Sequence, residues 1–211
     1  PLLNASYSAE ETEHKIWYIA EITGIRELLD KKMSTLSGGE RQKVAIAATL
    51  ACDREIILLD EPYEQFDPDS VKRILYSLKR YTRDNNRVLI ITAKRYEYAE
   101  GIADRVFSIE NGRLTEIKNL SYTYPLIMER TVSACESTDT GEENIPLISF
   151  GNVTHRYSGS AGITGINISI NKGEITGIMG PNGAGKTTLL KHCIGLLRPQ
   201  EGGVFYSGDD I

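Results

Sequence analysis

The sequence predicts an α/β fold built on a parallel sheet, and three stretches carry that expectation. Gly173 to Leu190 (GEITGIMGPNGAGKTTLL) reads as a buried strand, Glu174 to Met179, then a glycine-rich turn, Gly180 to Gly185, then a helix from Lys186 onward. Ile56 to Pro62 (IILLDEP) is a second apolar strand, with Asp60 and Glu61 at its C-terminal end. Unbroken apolar runs of this kind suit strands covered on both faces, as in parallel sheets. Ile163 to Ile170 instead alternates apolar and polar positions, which predicts an antiparallel element just ahead of the glycine-rich turn.

The turn fits G-x-x-x-x-G-K-[ST] at Gly180, Gly185, Lys186 and Thr187. Glycines let backbone N–H groups curl into a concave nest around phosphate oxygens. The helix that follows points its positive end at the same anion. Lys186 has the reach for β- and γ-phosphates, and the Thr187 hydroxyl suits Mg²⁺. At the end of the other strand, Asp60 suits a direct or water-mediated Mg²⁺ contact, and Glu61 suits polarising an attacking water.

From the start of the chain, Glu10 to Leu29 is expected to be helical, with Ile16, Ile19, Ala20, Ile22 and Leu28 near a 3.6-residue period. Ser37, Gly38, Gly39 and Glu40 form an S-x-x-E capping box that starts a second helix. Its Ser-Gly-Gly opening also leaves a hydroxyl and backbone N–H groups open to a phosphate presented from another surface. Phe66-Asp67-Pro68 turns into an amphipathic helix, Ser70 to Arg80, with Val71, Ile74, Leu75 and Leu78 on one face. Val88 to Ile91 is a buried strand, Tyr98 to Ile102 a helical turn, and Arg105 to Ile109 a strand closed by Asn111-Gly112. Periodicity fades from Glu116 to Pro146, and the acidic, polar run Ser133 to Asn144 reads as a linker. Leu147 to Tyr157 and Gly203 to Tyr206 are strand-like, and Thr187 to Leu197 is a helix stopped ahead of Pro199.

Composition narrows the function. The 211 residues are 40% hydrophobic and 25% charged, as in globular domains, and the net charge of −5 offers no basic field for nucleic acid. Cys52, Cys135 and Cys193 form no C-x-x-C pair, and His14, His155 and His192 are scattered, so no Cys/His metal site is expected. No apolar run approaches the roughly 20 residues of a membrane span. The chain opens on Pro1 and ends just after a strand, and reads as a piece of a longer protein.

Taken together, these stretches resemble the ATP-binding cassette (ABC) ATPases, whose fold is of the P-loop NTPase type. LSGGERQ, Leu36 to Gln42, is similar to the family signature, in which Leu36, Ser37, Gly38, Gly39, Glu40 and Gln42 meet ATP in trans. IILLDEP resembles the Walker B strand, with Glu61 in the place of the catalytic glutamate and Asp60 toward Mg²⁺. Asp67 lies in a stretch like the D-loop, with Phe66 where Leu is usual. Gly180, Pro181, Asn182, Gly183, Ala184, Gly185, Lys186, Thr187 and Thr188 resemble the Walker A loop, and Tyr157 stands where an aromatic residue stacks on adenine. The resemblance implies ATP and Mg²⁺ as ligands and ATP hydrolysis as the activity. It implies transmembrane permease subunits and another cassette as partners, and a peripheral place on the cytoplasmic face of a membrane.

The order of these motifs departs from a single cassette, in which Walker A comes first. Residues 1–117 resemble the C-terminal half of one cassette, 118–146 a linker, and 147–211 the N-terminal half of the next. That order implies a tandem two-cassette parent, with energy-coupling-factor importers for vitamins or metal ions as the nearest subfamily. Two cassettes of this family close head to tail, so Lys186 and Ser37 to Gly39 are expected at one nucleotide. Glu61 is then expected at another, with a Walker A that this chain lacks, and the isolated chain is expected to bind nucleotide poorly and to hydrolyse none. Ala93 or Lys94 stands where the family's switch histidine is expected, which implies a slow or differently wired site. A tandem cassette acting on ribosomes or DNA, and a nucleotide-binding module without turnover, are the alternatives.

Overall fold

The structure is a computed structural model and describes residues 8–94, 102–117, 145–157 and 162–210. Helix α1 (Ala9–Thr23) leads through two short 3₁₀ turns, Arg26–Leu28 and Met33–Thr35, to α2 (Gly38–Ala51). Then come β1 (Ile56–Asp60), α3 (Pro68–Asp84), β2 (Val88–Ala93), β3 (Arg105–Glu110) and β4 (Arg113–Glu116). After residues 118–144 follow β5 (Ile148–Arg156), β6 (Gly162–Ile170), β7 (Ile175–Met179), α4 (Lys186–Cys193), β8 (Glu201–Tyr206) and β9 (Asp209–Asp210). The expected helical turn at Tyr98 to Ile102 falls mostly, and the expected linker almost wholly, outside the described residues.

Helix starts follow their caps. Ser8 and Ser37 each close a capping box, with Glu11 and Glu40 respectively, so two otherwise orphaned N–H groups are satisfied at each start. Asp67 caps α3 by accepting from the N–H groups of Asp69 (3.1 Å) and Ser70 (3.0 Å). Two helices end sooner than their apolar periodicity predicts. α1 stops at Gly24, which takes a left-handed φ of 64°, and Leu28 reaches the core from the following 3₁₀ turn. α4 stops at Cys193, and Ile194 and Leu196, expected inside it, are exposed.

The strands form two sheets. The larger has the order β1-β2-β7-β3-β4, in which β1, β2, β7 and β3 are parallel and β4 is an antiparallel edge. The smaller is antiparallel, in the order β6-β5-β8-β9. The mixed α/β architecture and the antiparallel element are those the sequence predicts. β7 lies between β2 and β3, so the second part of the chain completes the sheet begun by the first.

Alternation along β2 divides the core. Leu89 and Ile91 pack with α1, α2 and α3 on one face, against Ile19, Leu50 and Leu78. Val88 and Ile90 pack on the other, with Phe150 and Ile166 of the small sheet and Leu189 of α4. Burial of both faces explains the unbroken apolar run, and each such side chain contributes about 1.5–3 kcal/mol. Polar contacts tie the two parts together. The Asp104 N–H donates to the Ile175 carbonyl (2.8 Å), and the Ile175 N–H donates to Asp104 Oδ2 (2.9 Å). Arg105 donates to the Ser169 carbonyl (2.7 Å) and to Glu116 (2.8 Å), and pairs with Glu174 (3.4 Å). Among the described residues no helix is long and apolar enough to cross a membrane.

Candidate nucleotide site

The C-terminal ends of β1, β2 and β7 and the start of α4 meet at one groove, where ligands of open parallel sheets bind. The groove has a volume of about 630 Å³, and its lining includes Asp60, Glu61, Tyr157, Asn182, Gly183, Lys186 and Thr187.

Its centre joins two motifs that are far apart in the chain. The Thr187 hydroxyl donates to Asp60 Oδ2 (2.6 Å) across 127 residues of sequence. The Lys186 ammonium, only 5% exposed, donates to the carbonyls of Gly180 (2.8 Å) and Pro181 (3.0 Å) and pairs with Glu61 (3.1 Å). Within this chain Glu61 therefore meets Lys186 of the glycine-rich loop. The physical reason is the fit of β7: five buried residues complete the sheet beside β2 and carry their loop to the end of β1.

Thr92 organises the two carboxylates. Its hydroxyl donates to Asp60 Oδ1 (2.5 Å) and accepts from the Glu61 N–H (3.0 Å). Glu61 adopts φ 47°, a left-handed conformation that costs a non-glycine residue on the order of 1 kcal/mol or more. The turn aims its carboxylate at Lys186 and, from the other side, at Lys94 (3.0 Å). Burial pushes the Glu61 carboxyl up, but hydrogen bonds and charge from Lys94 and Lys186 outweigh it and hold the group below the usual carboxylate range. Lys94 also pairs with Glu64. Glu64 first, and then Glu61, push the Lys94 ammonium up. Lys94, one of the two residues at the expected place of the switch histidine, thus pairs with Glu61.

The remaining predicted residues divide into two groups. Tyr157, 41% exposed, lines the groove. From the signature-like stretch, Gln42 lines it too, and its Oε1 is buried without a hydrogen-bond partner. Ser37 does not line the groove; its hydroxyl accepts from the Glu40 N–H (3.2 Å), and Glu40 returns the bond to the Ser37 N–H (2.8 Å). Gln65 and Phe66 close over Gly38 and Gly39, so the stretch preceding Asp67 packs on the signature. Asp67 itself is spent on capping α3.

Thr92 and Glu64 are site residues that motif reasoning passed over. A signal for Thr92 exists in the sequence: it is the single polar residue in the otherwise apolar VLIITA strand. Nothing comparable marks Glu64. The donor set of Thr187 and Asp60 fits a hard, oxygen-liganded cation such as Mg²⁺. Among the described residues no cluster of three or more His, Cys, Asp or Glu side chains could hold a metal ion.

Comparison with known proteins places this geometry in a family. A putative ABC transporter ATP-binding protein of Methanosarcina mazei is 35% identical over 98% of this chain and 42% of its own length. One from Clostridium tetani is 27% identical over 92% of this chain and 52% of its own length. The chain thus spans about two fifths to one half of these relatives. Among solved structures, cbiO1 from Clostridium perfringens, described as part of the ABC transporter complex cbiONQ, is 28% identical, with a TM-score of 0.45 over 50% of this chain and 42% of that one. The family model described as ABC transporter matches residues 3–64 and 163–211, the two segments that supply Asp60, Glu61, Lys186 and Thr187. With just over half of its residues covered by that match, the chain belongs to the ABC transporter family.

Proposed function

We propose that the groove binds ATP with Mg²⁺ and that the parent protein couples ATP hydrolysis to transport, as an importer of a small molecule or metal ion. The observation that carries this reading is the meeting of Thr187 with Asp60 and of Lys186 with Glu61. Phosphate oxygens would take the place of Glu61 and the loop carbonyls around the Lys186 ammonium. Thr187 and Asp60 would hold Mg²⁺, which when bound neutralises phosphate charge. Glu61, freed from Lys186 and still held by Lys94, orients the attacking water and draws on its proton.

Hydrolysis is proposed to need a second cassette, because Ser37 does not line the groove of its own chain. The permease partner and the cytoplasmic membrane-face location belong to the same proposal, as does the tandem, energy-coupling-factor-like parent. Equilibrium titration of MgATP into the purified chain tests the core of it. Saturable binding weakened at least ten-fold by Lys186→Ala supports the reading; equal affinity of wild type and Lys186→Ala overturns it. Co-purification of the parent with a multi-span membrane protein tests the transport assignment, and co-sedimentation with ribosomes instead would overturn it.

A further inference from the structure

β5 ends at Arg156, with Tyr157 next, and residues two apart on a strand share a face. The rings of His155 and Tyr157 meet edge to face, with centroids 4.9 Å apart and planes at 61°. The other side of His155 meets His192 of α4 in the same manner, at 4.9 Å and 73°. Three rings thus run from the groove into the core, ending on the helix that begins with Lys186 and Thr187.

The run is pinned at several points. The His155 Nδ1–H donates to the Arg198 carbonyl (3.2 Å), and the His192 Nδ1–H donates to the Thr188 carbonyl (2.8 Å). His192 is wholly buried. Gln200 fixes the backbone between His155 and Tyr157. Its Oε1 accepts from the Arg156 N–H (3.0 Å) and its Nε2 donates to the Arg156 carbonyl (2.9 Å). Tyr157 is 41% exposed, and an exposed ring set from behind in this way is preorganised as a stacking surface.

We propose that His155, backed by His192 and with Gln200 holding the backbone, is a positioning residue that fixes the Tyr157 ring plane for stacking on a purine base, so that the groove discriminates nucleotide from bare polyphosphate. This rests on reading the groove as a nucleotide site. It adds the residues that set base recognition and joins the base contact directly to the phosphate-binding helix.

Calorimetric titration of the full chain with MgATP and, separately, with magnesium tripolyphosphate tests it. Tyr157→Ala weakens MgATP roughly ten-fold or more, the size of a lost base–aromatic stack, and leaves tripolyphosphate unchanged. His155→Ala and Gln200→Ala each weaken MgATP about two- to ten-fold, in proportion to one ring pair or one polar contact, again without touching tripolyphosphate. His155→Phe, which keeps an edge-to-face ring, restores most of the loss. If Tyr157→Ala weakens MgATP while His155→Ala and Gln200→Ala bind as wild type, the positioning role is refuted and the nucleotide site stands. Equal weakening of both ligands by His155→Ala marks a damaged loop and refutes the role as well. If wild type prefers neither ligand and Tyr157→Ala changes nothing, the base platform itself fails.

Discussion

Two glycines in the phosphate loop, two residues apart, offer a direct test of this geometry. Both have positive φ: 80° at Gly183 and 109° at Gly185. A Cβ on Gly183 meets no atom within 4 Å, whereas one on Gly185 falls 2.7 Å from Ile163 Cγ2 and 2.9 Å from the Gly162 carbonyl oxygen. Gly183→Ala therefore carries only the backbone cost of a left-handed alanine, about 1–2 kcal/mol. Gly185→Ala carries a similar or larger backbone cost plus overpacking of about 1–3 kcal/mol against a neighbouring backbone that has little freedom to yield. For a chain of this size each kcal/mol moves Tm by about 2–4 °C. Gly185→Ala should thus melt roughly 2–12 °C below Gly183→Ala. Binding should diverge from stability. Gly183 lines the groove, so its added methyl stands where phosphate would lie, and MgATP affinity falls about ten-fold or more in a fold that is nearly intact. Thermal melts followed by circular dichroism, with calorimetric titration of MgATP, read both quantities. Equal melting losses in the two variants would refute the packing argument, and wild-type MgATP affinity in Gly183→Ala would refute the phosphate seat.

Three further outcomes follow from described contacts. Lys94→Ala removes the cation that stays on Glu61 once nucleotide claims Lys186. In the complete assembly kcat should fall about ten- to hundred-fold with KM nearly unchanged, as for a misplaced catalytic group, and Lys94→Arg should recover most of it. Steady-state kinetics decide this, and an unaltered kcat would show Lys94 to be idle. Burial holds the His192 imidazole below its ordinary value of 6.5, so the unfolded chain takes up this proton first. The stability it contributes is full above pH 6.5 and drains away as pH falls toward the depressed folded value, at up to about 1.4 kcal/mol per pH unit. Urea midpoints between pH 7.5 and 5 should therefore decline less steeply in His192→Phe; identical slopes would count against the assignment. Arg105→Ala loses the contacts to Ser169, Glu116 and Glu174 and the stack over the Phe107 ring. Its urea midpoint should drop by the equivalent of about 1–3 kcal/mol with an unchanged m-value.

Much of the architecture was legible because local chemistry decided it. Ser37 and Glu40 cap α2 as their spacing predicts, and Val71, Ile74, Leu75 and Leu78 are buried as their period predicts. The loop from Gly180 to Thr187 is marked by its G-x-x-x-x-G-K-[ST] pattern. What escaped was decided at a distance or by a single residue. Gly24 ends α1 although the apolar period continues past it. The buried run Ile175–Met179 says that it is a central strand, but not that β2 and β3 are its neighbours. His155 and His192 looked scattered because 37 positions separate them along the chain, yet their rings touch.

The place of β7 in the sheet also bears on how the chain is made. β1, β2 and β3 come before β7 in this chain, and residues 175–179 fill the slot between β2 and β3. Before β7 inserts, one edge of a wholly buried strand, Val88–Ala93, lacks its partner in this sheet. Closing the slot requires contacts between residues more than 80 positions apart, such as Leu89 with Ile175. Contacts of that range slow folding and prolong exposure of sticky edges. The slot recognises a sequence rather than a connection, so at high concentration it is open to the same strand from another copy. Dilute refolding should favour the closed monomer, and concentrated refolding should yield strand-exchanged dimers, each with two complete grooves assembled from both chains.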